Sequence, residues 1–131
     1  YKPNAAFFEA HGAQGWTALR DLIAFIPDEI PVVLDAKRGD IASTAEAYAR
    51  AVFQTLGADA VTLNPYLGQD SLEPFLADPE HGVFVLCKTS NPGAADLQDL
   101  ALAGGELLYE RVARLASHWN RRSRWGFCSG P

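Results

Sequence analysis

The sequence has no methionine, only two cysteines and no long hydrophobic run. No apolar stretch approaches the roughly 20 residues that a membrane-spanning helix needs, so we predict a soluble chain without a membrane partner. Two cysteines, Cys87 and Cys128, are too few for a disulfide framework or a spaced set of metal ligands. We therefore expect a reducing, cytoplasmic compartment.

Positive charge is also scarce, with 11 basic against 16 acidic side chains and a net charge of −5. This balance argues against a nucleic-acid partner, and we interpret the basic residues Arg121, Arg122 and Arg124 as a solvated end. A content of 48% hydrophobic and 21% charged residues in 131 residues predicts one globular domain at most. Because the chain begins with Tyr1-Lys2-Pro3 and has no initiator methionine, we expect a fragment whose targeting signals cannot be judged.

Short apolar runs alternate with amphipathic stretches along the chain, which predicts an α/β fold with a parallel sheet covered by helices. Strands are predicted at residues 5–8, 31–35, 60–63 and 83–87. Helices are predicted at residues 17–25 and 43–56, from residue 70, and over residues 96–115. Ser43 and Glu46 form a capping-box pattern, and Gly57 stands where a left-handed helix cap is expected.

About four β-α units in 131 residues are too few for a complete β/α barrel. A closed eight-stranded barrel needs about 250 residues, and at least about 200. The pattern therefore leaves two architectures open, a small doubly wound sheet or part of a β/α barrel.

A dense group of charges follows the second predicted strand, in the run Asp35-Ala36-Lys37-Arg38-Gly39-Asp40. Alternation along a strand places Asp35 and Lys37 on the same side, while Gly39 lets the chain turn and re-aim Asp40. The carboxyl ends of strands bind ligands in β/α folds, so this group is the best candidate site. The alternative is an incidental ion pair on a charged loop.

Two further features support a site at these strand ends. The basic residues include only three lysines, and Lys2, Lys37 and Lys88 each lie beside a predicted strand, where a primary amine can donate a proton and an arginine effectively cannot. The run Thr89-Ser90-Asn91-Pro92-Gly93 presents short polar groups at a nearly rigid turn, suited to a planar amide edge or an anion. Chance placement and a plain strand-to-helix turn remain the alternatives.

Four segments in this order resemble the orotidine 5′-monophosphate decarboxylase family, in particular its bacterial members. They are KPNAAFFE at 2–9, LDAKRGDI at 34–41, TLNPYLG at 62–68 and CKTSNPG at 87–93. The resemblance covers residues 1–118 and implies a partial (β/α)8 TIM barrel with about four to five β-α units, containing strands two to five. Residues 119–131 are expected to form a divergent or truncated tail.

The resemblance implies decarboxylation of orotidine 5′-monophosphate to uridine 5′-monophosphate in pyrimidine biosynthesis, catalysed by a carbon-carbon lyase. It implies no metal and no organic cofactor, and a homodimer with active sites at the subunit interface. The family's phosphate-binding residues have no counterpart in this sequence, so we expect the chain to be inactive alone.

Site roles also follow from the resemblance. Lys37 would be the catalytic proton donor to the reacting carbon, and Lys2 and Asp35 would belong to the charged network around it. An ammonium held between two carboxylates would stay protonated and would stabilise the carbanion that loss of carbon dioxide leaves.

The remaining roles concern the subunit interface and the pyrimidine ring. Asp40 would cross into the partner subunit's site as a catalytic residue, accompanied by Ile41 and Thr44 as substrate-binding residues. Ser90 would contact the ring. Two alternatives stay open: a metal-dependent sugar-phosphate lyase or synthase that shares the Asp-x-Lys-x-x-Asp pattern, and a non-catalytic binding module.

Overall fold

The structure, a computed structural model, describes residues 1–120 and 128–129. One parallel sheet contains β1 (Val33–Arg38), β2 (Ala60–Leu63), β3 (Gly82–Leu86) and β4 (Cys128–Ser129). The α-helices are α1 (Ala5–Glu9), α2 (Gly12–Phe25), α3 (Ala42–Arg50), α4 (Glu73–Leu76) and α5 (Leu108–Trp119). A π-helical turn, Ala51–Thr55, continues α3, and 3-10 turns lie at Pro65–Leu67, Gln69–Ser71 and Pro92–Asp96.

The strand order decides between the two architectures. The strands lie side by side in chain order, β1-β2-β3-β4, and every pair is parallel. A doubly wound sheet reverses its order at a switch point, whereas a barrel adds each strand beside the previous one. The described strands therefore have the arrangement of part of a β/α barrel, as predicted.

The prediction of a strand at residues 5–8 is wrong, because this segment is helix α1. The side chain of Asn4 accepts a hydrogen bond from the backbone N–H of Ala6 at 3.0 Å, which caps the helix where the strand was expected. The apolar run Ala5-Ala6-Phe7-Phe8 reflects burial of one helix face, since Ala5 is buried while Phe7 is exposed. A short apolar run cannot distinguish these two structures.

The extended segment lies just before α1. The backbone N–H groups of Val33 and Asp35 donate to the carbonyl oxygens of Tyr1 and Pro3 at 2.8 and 2.9 Å. Asn4 forms a parallel bridge with Asp35. Residues 1–4 therefore pair with β1 on the side opposite β2.

Three helix predictions need correction. Helix α3 begins at Ala42 with Ile41 at its N-cap, so Ser43 lies inside the first turn and forms no capping box. The helix predicted from residue 70 is reduced to a 3-10 turn and the four-residue α4. The helix predicted from residue 96 begins only at Leu108, because Gly104 and Gly105 adopt φ values of +101° and +86° and break the helical path. Gly57, at φ +73°, confirms the predicted cap.

The core lies between the sheet and the helices that cover it. Leu34, Val61 and Val83 from three adjacent strands are at most 1% exposed, as are Leu19 from α2 and Phe75 from α4. Burying each large apolar side chain contributes about 1.5–3 kcal/mol to folding. Within the described part of the chain, no helix is long and apolar enough to span a bilayer. The predicted basic end at residues 121–124, and most of the predicted tail 119–131, lie outside the described residues.

Candidate active site

Asp35 is the centre of the polar cluster at the carboxyl edge of the sheet. Its side chain is only 10% exposed, yet it holds two ammonium groups. Lys37 Nζ donates to Oδ1 at 2.5 Å, and Lys2 Nζ donates to Oδ2 at 3.0 Å. Lys37 is 48% exposed and Lys2 is 63% exposed, so their amines reach the carboxylate from the solvent-facing side.

The surroundings of Asp35 keep it ionised. Burial alone would raise its pKa, but hydrogen bonds from Lys37, Lys2 and Thr62, together with the charge of Lys37, outweigh burial and lower the pKa from 3.8 to about 2. The carboxylate is therefore negative at any neutral pH. A negative charge that persists at neutral pH therefore lies beside the ammonium group of Lys37.

Thr62 is a site residue that sequence reasoning missed. Its hydroxyl donates to Oδ1 of Asp35 at 2.9 Å and accepts the backbone N–H groups of Ala36 and Lys37 at 3.0 and 2.9 Å. These three bonds use the full capacity of a hydroxyl group. The available signal was a polar residue within an otherwise apolar strand, since all four residues of β2 are buried.

Lys37 has an unusual backbone conformation. Its φ is +48°, in the left-handed region, which costs a non-glycine residue of order 1 kcal/mol. The pairing of β1 with β2 shifts register between Leu34 and Arg38, so the strand is irregular at this point. Simple alternation therefore predicted the contact with Asp35 but not the conformation that forms it.

Gly39 permits a close approach between the end of β1 and the end of β2. A Cβ atom at this position would lie 2.5 Å from the carbonyl oxygen of Asn64, at the end of β2. Next to it, the backbone N–H of Asn64 donates to the carbonyl of Arg38 at 2.7 Å. Glycine at this position avoids a clash with the Asn64 carbonyl, a reason that the sequence did not reveal, while its part in re-aiming Asp40 stays a prediction.

Arg38 ties the strand end to two helices, a role that the sequence did not reveal. Its guanidinium forms an ion pair with Glu9 at the end of α1 and lies 4.9 Å from the ring centroid of Tyr48 on α3. The arginine is 21% exposed. This contact holds the segment that follows Lys37 against the helices.

Asp40, Ile41 and Thr44 lie together at the start of α3 but do not join the lysine cluster. Asp40 accepts the backbone N–H of Ile41 at 2.8 Å, and no hydrogen bond or ion pair connects it with Lys37. Ile41 is 58% exposed, and Thr44 is exposed in the first helical turn. Within one chain, therefore, one carboxylate holds two ammonium groups, instead of one ammonium lying between two carboxylates.

Ser90 follows β3 at the same edge of the sheet and is exposed. It lies in the short segment before the 3-10 turn Pro92–Asp96. Because β1, β2 and β3 are parallel neighbours, their carboxyl ends place Lys37, Thr62 and Ser90 along one edge. The structure thus brings the strand-end candidates to a common side of the molecule.

A groove of about 660 Å³ lies between α3 and α4, and its lining includes Glu46, Phe53 and His81. Asp35, Lys37, Thr62 and Ser90 are not among the residues that line it. In the described ranges 1–120 and 128–129, no three histidine, cysteine or acidic side chains are grouped to hold a metal ion. The chemistry that the strand edge supports is proton donation by Lys37 and stabilisation of an anion by its charge.

Known proteins have similar sequences and folds. The model of the orotidine 5′-phosphate decarboxylase / HUMPS family matches residues 1–131. Orotidine 5′-phosphate decarboxylase of Roseiflexus castenholzii is 63% identical over 131 residues, covering 99% of this chain and 48% of that protein. The chain therefore spans about half the length of this curated relative.

Solved structures agree with the family match. Leishmania donovani OMP decarboxylase superposes with a TM-score of 0.92 at 57% identity, covering 97% of this chain and 51% of that one. Leishmania donovani UMP synthase superposes with a TM-score of 0.91 at 57% identity, over 97% of this chain and 28% of that one. Sequence, strand order and strand-end chemistry lead to one conclusion: the chain belongs to the orotidine 5′-phosphate decarboxylase / HUMPS family.

Proposed function

We propose that the whole protein converts orotidine 5′-monophosphate to uridine 5′-monophosphate and carbon dioxide, as a carbon-carbon lyase of pyrimidine biosynthesis in the cytoplasm. The observation that carries this proposal is the contact of 2.5 Å between Lys37 Nζ and the buried carboxylate of Asp35. Relatives named for this activity support it.

The chemistry requires a group that stabilises negative charge on a ring carbon and then protonates it. As the bond to the departing carboxylate breaks, the electron pair stays on the ring carbon. The ammonium of Lys37 stabilises this charge and transfers a proton to the carbon. Asp35 holds this ammonium group in place, and Lys2 donates a hydrogen bond to the second oxygen of Asp35.

The second carboxylate of the site comes from another copy of the chain in this proposal. Asp40, Ile41 and Thr44 lie at the exposed start of α3, where they can reach a neighbouring subunit. We expect Asp40 of the partner subunit to complete the environment of Lys37 in a homodimer. Ser90 contacts the pyrimidine ring from the end of β3.

An activity assay tests this function directly. The whole protein is incubated with orotidine 5′-monophosphate, and uridine 5′-monophosphate is quantified by chromatography with and without a metal chelator. We expect turnover that the chelator does not change. No product would refute the proposal, whereas turnover of a sugar phosphate that is abolished by the chelator would indicate the metal-dependent alternative.

A further inference from the structure

Gln98 forms side-chain hydrogen bonds with the segment that contains Ser90. Its side-chain Oε1 accepts the backbone N–H of Thr89 at 2.8 Å, and its Nε2 donates to Oγ1 of Thr89 at 2.8 Å. The hydroxyl of Thr89 donates onward to Oδ1 of Asn91 at 2.6 Å. One amide group therefore fixes the residue before Ser90 directly and the residue after it through a relay.

Gln98 is itself well anchored. Its backbone N–H donates to the carbonyl of Ala94 at 2.8 Å, and its carbonyl accepts the N–H of Tyr109 on α5 at 3.0 Å. The residue is half-buried. The position of the Gln98 side chain is thus set by the 3-10 turn after Ser90 and by the start of α5.

A second contact holds the same segment at Lys88, two residues before Ser90. Lys88 forms an ion pair with Asp99, and its amine lies 5.5 Å from the ring centroid of Tyr109. Ser90 is exposed between these fastened neighbours. The backbone on both sides of Ser90 is therefore held by hydrogen bonds, while the Ser90 side chain is exposed and accessible to a ligand.

We propose that Gln98 is a positioning residue that orients Ser90 toward the pyrimidine ring. This inference rests on the proposed function and on the role of Ser90 in it. Binding sites lose affinity when a contacting group is displaced by a fraction of an ångström, so the support of Thr89 bears directly on substrate binding. The amide acts through Ser90 and does not touch the substrate itself.

The test is a double-mutant cycle in the whole protein. Gln98→Ala is expected to raise KM, and the Kd for uridine 5′-monophosphate, about 10-fold with little change in kcat, because a ring contact binds substrate and transition state alike. In a Ser90→Ala background, Gln98→Ala is expected to change KM less than about 2-fold. Fully additive effects, or an unchanged KM in the single variant, would overturn the proposal.

Two further variants make the result specific. Gln69→Ala removes an exposed glutamine amide that donates to Glu73 at 3.2 Å, and it is expected to leave KM unchanged. Gln98→Glu keeps an acceptor for the Thr89 N–H, but its carboxylate accepts the Thr89 hydroxyl proton that otherwise goes to Asn91. Its KM is therefore expected to lie between those of the wild type and of Gln98→Ala. If Gln98→Ala does not fold, the intermediate KM of Gln98→Glu decides, and a KM equal to that of the wild type overturns the proposal.

The outcome is distinct from that of the proposed function. A wild-type protein that does not decarboxylate orotidine 5′-monophosphate refutes the function. An active wild-type protein whose KM is insensitive to Gln98 refutes only the positioning role.

Discussion

Asp35 binds two lysines although it is more buried than either of them. Removing it would leave Lys2 and Lys37 without their carboxylate partner and would also free the hydroxyl of Thr62. A buried ion pair contributes most when its oxygens accept further hydrogen bonds, and here Oδ1 accepts from Lys37 and Thr62 while Oδ2 accepts from Lys2. The carboxylate therefore sets the position of the amine on Lys37.

The lowered pKa of Asp35 predicts a loss of stability in acid. Its pKa in the folded chain, about 2, lies below the ordinary value of 3.8, so the unfolded chain binds a proton more readily. The ionised form stabilises the fold by about 2 kcal/mol above about pH 4, and this contribution is lost as the pH falls through about 2. We expect the difference in free energy of unfolding between wild type and Asp35→Asn to shrink accordingly.

Urea denaturation of the whole protein between about pH 6 and about pH 2 measures this difference. Comparison with Asp35→Asn separates Asp35 from other carboxylates, which titrate equally in both proteins. A difference that stays constant over the whole range would contradict the assigned pKa.

Among the elements, β2 holds the irregular end of β1 in place. Thr62→Val removes the hydroxyl and keeps the shape of the side chain, so it leaves the N–H groups of Ala36 and Lys37 without their acceptor. Each buried donor left unsatisfied costs about 1–3 kcal/mol. We expect Thr62→Val to lower the free energy of unfolding by at least about 2 kcal/mol in urea titrations.

Thr62→Ser is the matched control, because it keeps the hydroxyl and loses only a methyl group. We expect it to cost about 1 kcal/mol, the loss of one buried methyl group. Equal destabilisation by the two substitutions would mean that packing, not hydrogen bonding, is the contribution of Thr62.

The approach of β1 to β2 gives a second prediction at this scale. Gly39→Ala places a methyl group 2.5 Å from the backbone carbonyl of Asn64, which cannot move without separating the strands. Gly93→Ala meets its nearest atom at 3.5 Å, an ordinary contact. We expect a lower melting temperature for Gly39→Ala than for Gly93→Ala by calorimetry, and the reverse order would contradict this account.

The elements show where sequence reasoning succeeds and where it fails. Residues 60–63 are predicted as a strand and form one, because the β-branched residues Val61 and Thr62 favour a buried parallel strand over a helix. Residues 5–8 form a helix instead of the predicted strand, because the cap at Asn4 starts a helix after only four extended residues. The helix predicted from residue 96 is too long because the prediction took no account of the two glycines at positions 104 and 105.

Only those contacts of the site that depend on local spacing along the chain could be predicted from the sequence. Asp35 and Lys37 could be paired because spacing along a strand fixes their side. Thr62 and Gln98 could not, because their contacts join residues 27 and 9 positions apart and depend on the register of strands and turns. The contact of Asp40 with another subunit stays a prediction.

At the scale of the whole molecule, the described sheet has an outer edge at residues 1–4. Unpaired edges and exposed aromatic rings favour association. Phe7 and Phe25 are 76% and 86% exposed on α1 and α2. We expect the 131-residue chain, expressed without any further segment, to elute as large assemblies in size-exclusion chromatography with light scattering.

A double variant, Phe7→Ser with Phe25→Ser, serves as the control for this prediction. It removes the two most exposed phenylalanine rings of the described residues and leaves the strand edge intact. We expect smaller assemblies from it. A monodisperse monomer of the unmodified chain would contradict the prediction.

The central claim is that Lys37, held by Asp35, protonates the ring carbon. The direct measurement is kcat for orotidine 5′-monophosphate of the whole protein and of its Lys37→Ala and Lys37→Arg variants. Arg20→Ala is the control, because it removes an exposed positive charge on α2. We predict that both Lys37 variants lose at least about 10³-fold in kcat, since arginine keeps the charge but cannot release a proton, while Arg20→Ala retains full activity. Turnover by Lys37→Ala within about 10-fold of wild type would contradict the account.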